Sequence, residues 1–196
     1  ILIDTETTGF DEKKHQILEV GILVIKDLKV IDQFEVKIKH REYTITAKAI
    51  EVNNINIVEH EKEALFEKEA AERMLEFLNK HKSEDDEGYI VIGQNVAFDI
   101  KFLEEMFLRT YKIKEYRQVI SYRNLDIMQL AMIKNMERKI SLEKQDLDSI
   151  LKELNIRVVR YSKNQDFSFI KEIIDGYSDA LFIVTNNCGQ YIKNIP

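Results

Sequence analysis

The feature that most constrains this chain is its first six residues, Ile1-Leu2-Ile3-Asp4-Thr5-Glu6, followed by the turn Thr7-Thr8-Gly9. The apolar start reads as a central, buried strand. On a strand, Asp4 and Glu6 lie two apart and point to the same face. Two carboxylates directed the same way from a buried strand repel each other and are poorly hydrated, an arrangement that calls for a compensating cation. The alternative is a strand that ends here with both acids in water, and the glycine turn leaves that alternative open.

Two further acids stand in comparable surroundings. In Gly93-Gln94-Asn95-Val96-Ala97-Phe98-Asp99, a short strand meets glycine and then an asparagine suited to an N-cap. That order places Asp99 in the first turn of a helix, on the face shared by Phe102, Leu103 and Met106. Lys101 points away, so a metal ion fits the acid better than a salt bridge. Asp179, in Ser178-Asp179-Ala180-Leu181-Phe182-Ile183-Val184, opens a helix that is apolar almost all round. Each acid alone could be a cap or a satisfied core residue. Four together suggest an oxygen-lined site for a hard cation, Mg²⁺ or Mn²⁺.

The remaining pattern predicts a mixed α/β sheet with helices on its faces. Strands are expected at 1–6, 16–26, 29–39, 89–92 and 119–125. Helical character begins near residue 46, with helices predicted at 63–81, 96–110, 127–138 and 142–154. A last helix from Gly176 is expected to carry Tyr177, Leu181, Val184, Cys188 and Ile192 on one face. Asp126, at the end of the fifth strand, reads as a cap. The run Ser83–Gly88 reads as a solvated acidic loop, and Arg157–Asn164 as a basic loop in which Tyr161 is the aromatic residue.

The 196 residues are read as one domain, beginning inside its first strand and so lacking a few N-terminal residues. No apolar run approaches the ~20 residues of a membrane span. The single cysteine, Cys188, favours a reducing, cytoplasmic setting. A net charge of −6 argues against coating duplex DNA by bulk electrostatics, though not against gripping a few nucleotides at a metal-filled pocket.

The segments Asp4-Thr5-Glu6-Thr7-Thr8-Gly9, Gly93-Gln94-Asn95 with Phe98-Asp99, and Asp179-Ala180 resemble the three motifs of the DEDD exonuclease superfamily. That superfamily includes the proofreading subunits of bacterial replicative polymerases, oligoribonuclease and ribonuclease T. The resemblance implies a ribonuclease-H-like fold with a five-stranded mixed sheet. It implies two divalent ions, Mg²⁺ or Mn²⁺, held by Asp4, Glu6, Asp99 and Asp179. It also implies release of nucleotides one at a time from the 3′ end of single-stranded DNA or short RNA, alone or within a larger polymerase or repair assembly. Nucleotide contacts would come from Thr5, Thr7 and Thr8, from Ile50, Val52 and Asn53 after the third strand, and from Asn95 and Phe98. Ile50, Val52 and Asn53 read equally as ordinary helix packing, and Phe98 could stack a base but is better read as a core filler.

The chain departs from the superfamily at one important place. A histidine five residues before the last acid, or a tyrosine four before it, usually accepts the proton. Here Ile174 and Asp175 stand there, and the four histidines, His15, His40, His60 and His81, all lie in the N-terminal half. Gln94 also replaces a histidine common in relatives. An enzyme of reduced activity and a silent, metal-retaining nucleic-acid-binding module therefore both remain open.

Overall fold

The computed structural model describes residues 1–26, 29–82, 87–138, 140–144, 149, 150, 153, 156–160 and 190–194. Three antiparallel strands come first: β1 (Leu2–Thr7), β2 (Ile17–Lys26) and β3 (Lys29–Lys39). Two short helices, α1 (Ala47–Asn53) and α2 (Ile57–Glu61), lead to the two-residue strand β4 (Leu65–Phe66). Helix α3 (Glu67–His81), strand β5 (Tyr89–Gly93), and helices α4 (Val96–Arg109) and α5 (Ile113–Val119) follow. Strand β6 (Ile120–Asp126) and helix α6 (Ile127–Met136) complete this part of the chain.

Six strands form one mixed sheet in the order β4-β3-β2-β1-β5-β6. The pairs β1–β2 and β2–β3 are antiparallel, whereas β3–β4, β1–β5 and β5–β6 are parallel. The expected five-stranded sheet is thus corrected to six. Leu65 and Phe66 were expected inside a helix, but they pair with Ile38 and Lys39 at the sheet edge. Extended backbone at Phe66 (φ −70°, ψ 150°) delays the start of α3 to Glu67.

Strands β1 and β2 are buried along almost their whole length, on both faces, whereas β3 alternates between more and less exposed residues. Ile3, Val20, Ile22 and Val36 join a core with Ala70, Met74 and Leu78 of α3 and Phe102, Leu103 and Met106 of α4. The helical face expected on α4, with Phe102, Leu103 and Met106, is therefore a surface that packs. Strand β1 sits between β2 and β5, near the middle of the sheet, so its acids arise from an interior strand as expected. Gly93 permits the close approach of β5, since a Cβ there would lie 3.1 Å from the Ile3 carbonyl oxygen.

The C-terminal part differs from expectation. Strands β7 (Ile156–Arg160) and β8 (Gln190–Asn194) form a separate antiparallel ladder. The basic loop is therefore a strand from Arg157 to Arg160, and the final helix does not extend to Ile192. Val158 pairs with Ile192 across the ladder, a long-range pairing that prevails at residues 190–192 over the helical spacing expected there. Of the helix predicted at 142–154, residues 149, 150 and 153 are helical and Ile150 is fully buried. Asp179, Ile174, Asp175, Tyr177, Cys188 and Tyr161, and the loop residues 83–86, lie outside the described residues.

Candidate active site

Asp99 reaches β1 from the first turn of α4. Its Oδ1 accepts hydrogen bonds from the Thr5 backbone N–H at 2.9 Å and from Thr5 Oγ1 at 2.7 Å. Thr5 is the residue between Asp4 and Glu6, so the anchor brings three acids to one stretch of β1. The geometry follows from the sheet. Strand β1 pairs with β5 at Leu2 and Ile92, and further along β1 the Thr5 N–H is taken by the Asp99 carboxylate instead of a strand.

These acids are largely withdrawn from water. Asp99 is 5% exposed and Glu6 8%, while Asp4 is half-buried. Burial raises the Asp99 pKa to about 7, against the lowering effect of the Thr5 hydrogen bonds, and the nearby Asp126 carboxylate pushes it the same way. No basic side chain among the described residues forms an ion pair with Asp99.

The strand-to-helix turn is built differently from the expected asparagine cap. Asn95 adopts left-handed backbone (φ 54°, ψ 40°) and its side chain caps nothing. Instead, its N–H donates to Asp126 Oδ1 at 3.2 Å, and the same oxygen accepts from Met128 N–H at 2.9 Å. Asp126 is thus the cap of α6, as expected, and also fastens the turn ahead of Asp99.

The glycine turn is held from within. Thr7 Oγ1 donates to the Gly9 carbonyl at 2.7 Å, and Thr8 Oγ1 accepts from Gln16 N–H at 2.9 Å. The His15 ring lies against Gly9 so closely that a Cβ would meet it at 2.3 Å, which is why glycine stands there. Helix α1 is tied to this turn, with Thr46 N–H donating to the Thr8 carbonyl and Asn53 Nδ2 to the Thr7 carbonyl at 3.1 Å. Asn53 is buried, Ile50 half-buried and Val52 62% exposed, so of these three Val52 offers the most open apolar surface. Phe98 is half-buried against Phe102, ring centroids 4.7 Å apart, in keeping with a core role.

One neighbour was not foreseen. Glu19 of β2 lies directly opposite Glu6 in the ladder and is 9% exposed. His60 of α2 stands beside it, with Nε2 3.7 Å from Glu19 Oε1 and 3.0 Å from the Leu18 carbonyl oxygen. Strand register brings Glu19 to Glu6, and no local pattern in the sequence announces it.

A divalent cation fits these residues in charge and donor type, because the donors are carboxylate oxygens and Asp99 is buried without a cationic partner among the described residues. Among the described residues, no three acidic, histidine or cysteine side chains close into a metal-holding group. The set is completed, in the sequence reading, by Asp179.

Thr5→Val tests the anchor. Losing a hydrogen bond to a charged group costs about 1.5–3 kcal/mol. Turnover at this site should fall about 10-fold while circular dichroism keeps the helical signal. Unchanged turnover would mean that Asp99 needs no anchor.

The six-stranded mixed sheet has the ribonuclease-H-like fold that the resemblance implied, and the chain is a member of the DEDD 3′→5′ exonuclease superfamily. Residues 1–160 match the RNase_T family, described as Exonuclease, and the chain belongs to that family of nuclease hydrolases. It is 27% identical over 168 residues to the PolC-type DNA polymerase III of Thermotoga petrophila, and to the same degree to that of Thermotoga maritima. The match covers 85% of this chain but spans only 11% of each of those relatives. Among solved structures, Escherichia coli exonuclease I in complex with a dT13 oligonucleotide superimposes with a TM-score of 0.65 at 16% identity. That match covers 78% of this chain and 34% of the other. A product-bound exonuclease I gives 0.67 at 15% identity, covering 89% and 42%. At such identities these structures speak for the fold.

Proposed function

We propose that this chain is a 3′→5′ exonuclease that hydrolyses single strands using two divalent ions, Mg²⁺ or Mn²⁺, held by Asp4, Glu6, Asp99 and Asp179. The observation that carries the reading is the Asp99 carboxylate fastened to Thr5, between Asp4 and Glu6. When bound, such a cation pair supplies Lewis-acid stabilisation to both oxygens of an in-line displacement and makes water a stronger acid. The chain's own residues do the positioning. Thr5 fixes one oxygen of Asp99 and leaves Oδ2 outside that pair of hydrogen bonds. The turn carrying Thr7 and Thr8 spends both hydroxyls internally, so it shapes the pocket wall rather than offering hydroxyls to a nucleotide. Helix α1 is clamped to that turn by Asn53, and Val52, its exposed large apolar side chain, is the residue offered to a terminal base, while Ile50, two positions back on the helix, points to about the opposite side.

Single-stranded DNA is the favoured substrate. The related exonuclease I is solved with dA13 and dT13 oligonucleotides, and the curated relatives are DNA polymerases. Short RNA is the runner-up, distinguished by contacts to the 2′-OH. The span of 11% of those polymerases suits a unit working within a larger polymerase or repair assembly. Ile174 and Asp175, in the places where similar enzymes keep a proton acceptor, favour a weakened enzyme. The same two residues support the second reading, a silent metal-retaining binding module.

Incubation with end-labelled single-stranded DNA and RNA separates these readings. We expect nucleoside monophosphates with Mn²⁺, none with chelator, and faster loss of DNA than RNA. Tight binding with no monophosphate release in any metal would leave only the silent module.

A further inference from the structure

We infer that a basic groove three strands away from the acids holds the sugar–phosphate backbone of the strand upstream of the end being cut. This rests on the exonuclease reading above. The groove has a volume of about 600 Å³ and is formed where β3, β4, the start of α3 and the end of α4 meet. Lys39, Arg41, Lys68, Arg109 and Lys112 line it, against the acids Glu67 and Glu72. Glu67 is engaged by Arg109 at 2.6 Å and Lys112 lies 3.8 Å from Glu115, which leaves Lys39, Arg41 and Lys68 as the lining cations outside those two pairs. In a chain of net charge −6, five cations against two acids around one cavity leave a local positive field that favours a polyanion.

Two aromatic rings stand among these charges. Phe66 is 52% exposed with Lys39 Nζ 5.1 Å from its ring centroid, and Tyr111 is 91% exposed. Tyr111 has φ 60°, a left-handed conformation that bulky L residues adopt only at a cost, and it holds the ring out in solvent just past α4. Exposed rings interleaved with cations suit stacked bases and their phosphates, which an acidic peptide would not use.

The groove also lies at the correct end of the sheet. Strands β3 and β4 run in the same direction as β1, and the ladders set Lys37 opposite Glu19 and Glu19 opposite Glu6. Lys39 and Phe66 therefore lie just beyond the level of Glu6. Three strand spacings separate β4 from β1, about 14 Å. That distance is about four nucleotides of a strand stacked as in duplex DNA, at ~3.4 Å each, and fewer of an extended one.

The test measures binding of phosphorothioate dT3 and dT12 strands, which resist cleavage, to the whole chain in Mg²⁺. The unmodified protein should bind dT12 at least ~10-fold more tightly than dT3. The double variant Arg41→Glu, Lys68→Glu should lose that advantage, and its salt slope should fall by about 1.4, at ~0.7 per phosphate contact on single strands. Tyr111→Ala leaves every charge in place and should weaken dT12 binding at least ~5-fold through lost stacking. Unchanged dT12 affinity and salt slope in all variants would overturn the inference. So would tighter binding of a 12-residue polyglutamate than of dT12. A protein that degrades DNA with no length advantage keeps the exonuclease reading and loses the groove. One that gains affinity with length but cuts nothing keeps the groove alone.

Discussion

Asp99→Asn is expected to reduce hydrolysis of a single-stranded oligonucleotide by ~10³-fold or more while the chain stays folded. Asparagine keeps the shape and can still accept from Thr5 through its carbonyl oxygen, so the loss isolates charge. Cations stabilise developing charge by several kcal/mol, and each 1.36 kcal/mol is tenfold in rate. Losing one anionic ligand should therefore cost about three decades. A pH signature accompanies the loss. Burial holds the Asp99 pKa up at about 7, above its ordinary value of 3.8. The metal-free folded chain thus favours the protonated acid, and the cost of ionising it is met as pH rises from the ordinary value through about 7. A cation binds the ionised form, so its apparent affinity should weaken as pH falls below about 7. In Asp99→Asn that part of the pH dependence should be absent, read by titrating Mn²⁺ at pH 6 and pH 8. Equal activity in variant and parent would remove Asp99 from the ligand set.

Ile174→His is expected to raise the rate at least ~10-fold, the cautious side of the ~10²–10⁴ that a positioned general base contributes. Ile174 stands five residues before Asp179, where similar enzymes keep histidine. A neutral imidazole there accepts a proton from the attacking water. It titrates near pH 6.5, so the gain should be present at pH 8 and vanish at pH 5.5. The competing arrangement takes its base from the basic segment, at Tyr161. In that case histidine changes little and Tyr161→Phe slows the enzyme. Both variants on one substrate decide it, and loss at Tyr161 without gain at Ile174 would overturn the base-deficient reading.

The first strand and the Asp99 helix were legible because their logic is local. Alternation along a strand puts Asp4 and Glu6 on one face, and helical spacing puts Asp99 with Phe102, Leu103 and Met106. What was missed depends on partners distant in sequence. A two-residue strand such as Leu65–Phe66 has no period to detect, and only its pairing with β3 reveals it. The final helix was expected to reach Ile192 on helical spacing, yet residues from Gln190 onward lie in a ladder with residues 156–160. Asn95 looked like a cap because asparagine caps well, but it tolerates left-handed backbone equally well. With Asp126 arriving from β6 to take its N–H, that second property is the one used. Glu19 beside Glu6 is a fact of register, invisible until two strands are aligned. Asp179, the last of the four acids, rests on the sequence motif.

The central claim is a metal-dependent nuclease that works inward from a 3′ end, and end-blocked substrates test it most directly. Single-stranded DNA is prepared with either its 3′ or its 5′ terminus chemically blocked and incubated with the protein and Mn²⁺. The 3′-blocked strand should survive while the 5′-blocked strand is shortened to a ladder of fragments with release of monophosphates. Shortening of the 3′-blocked strand from its 5′ end, or internal cuts in both strands, would contradict the account.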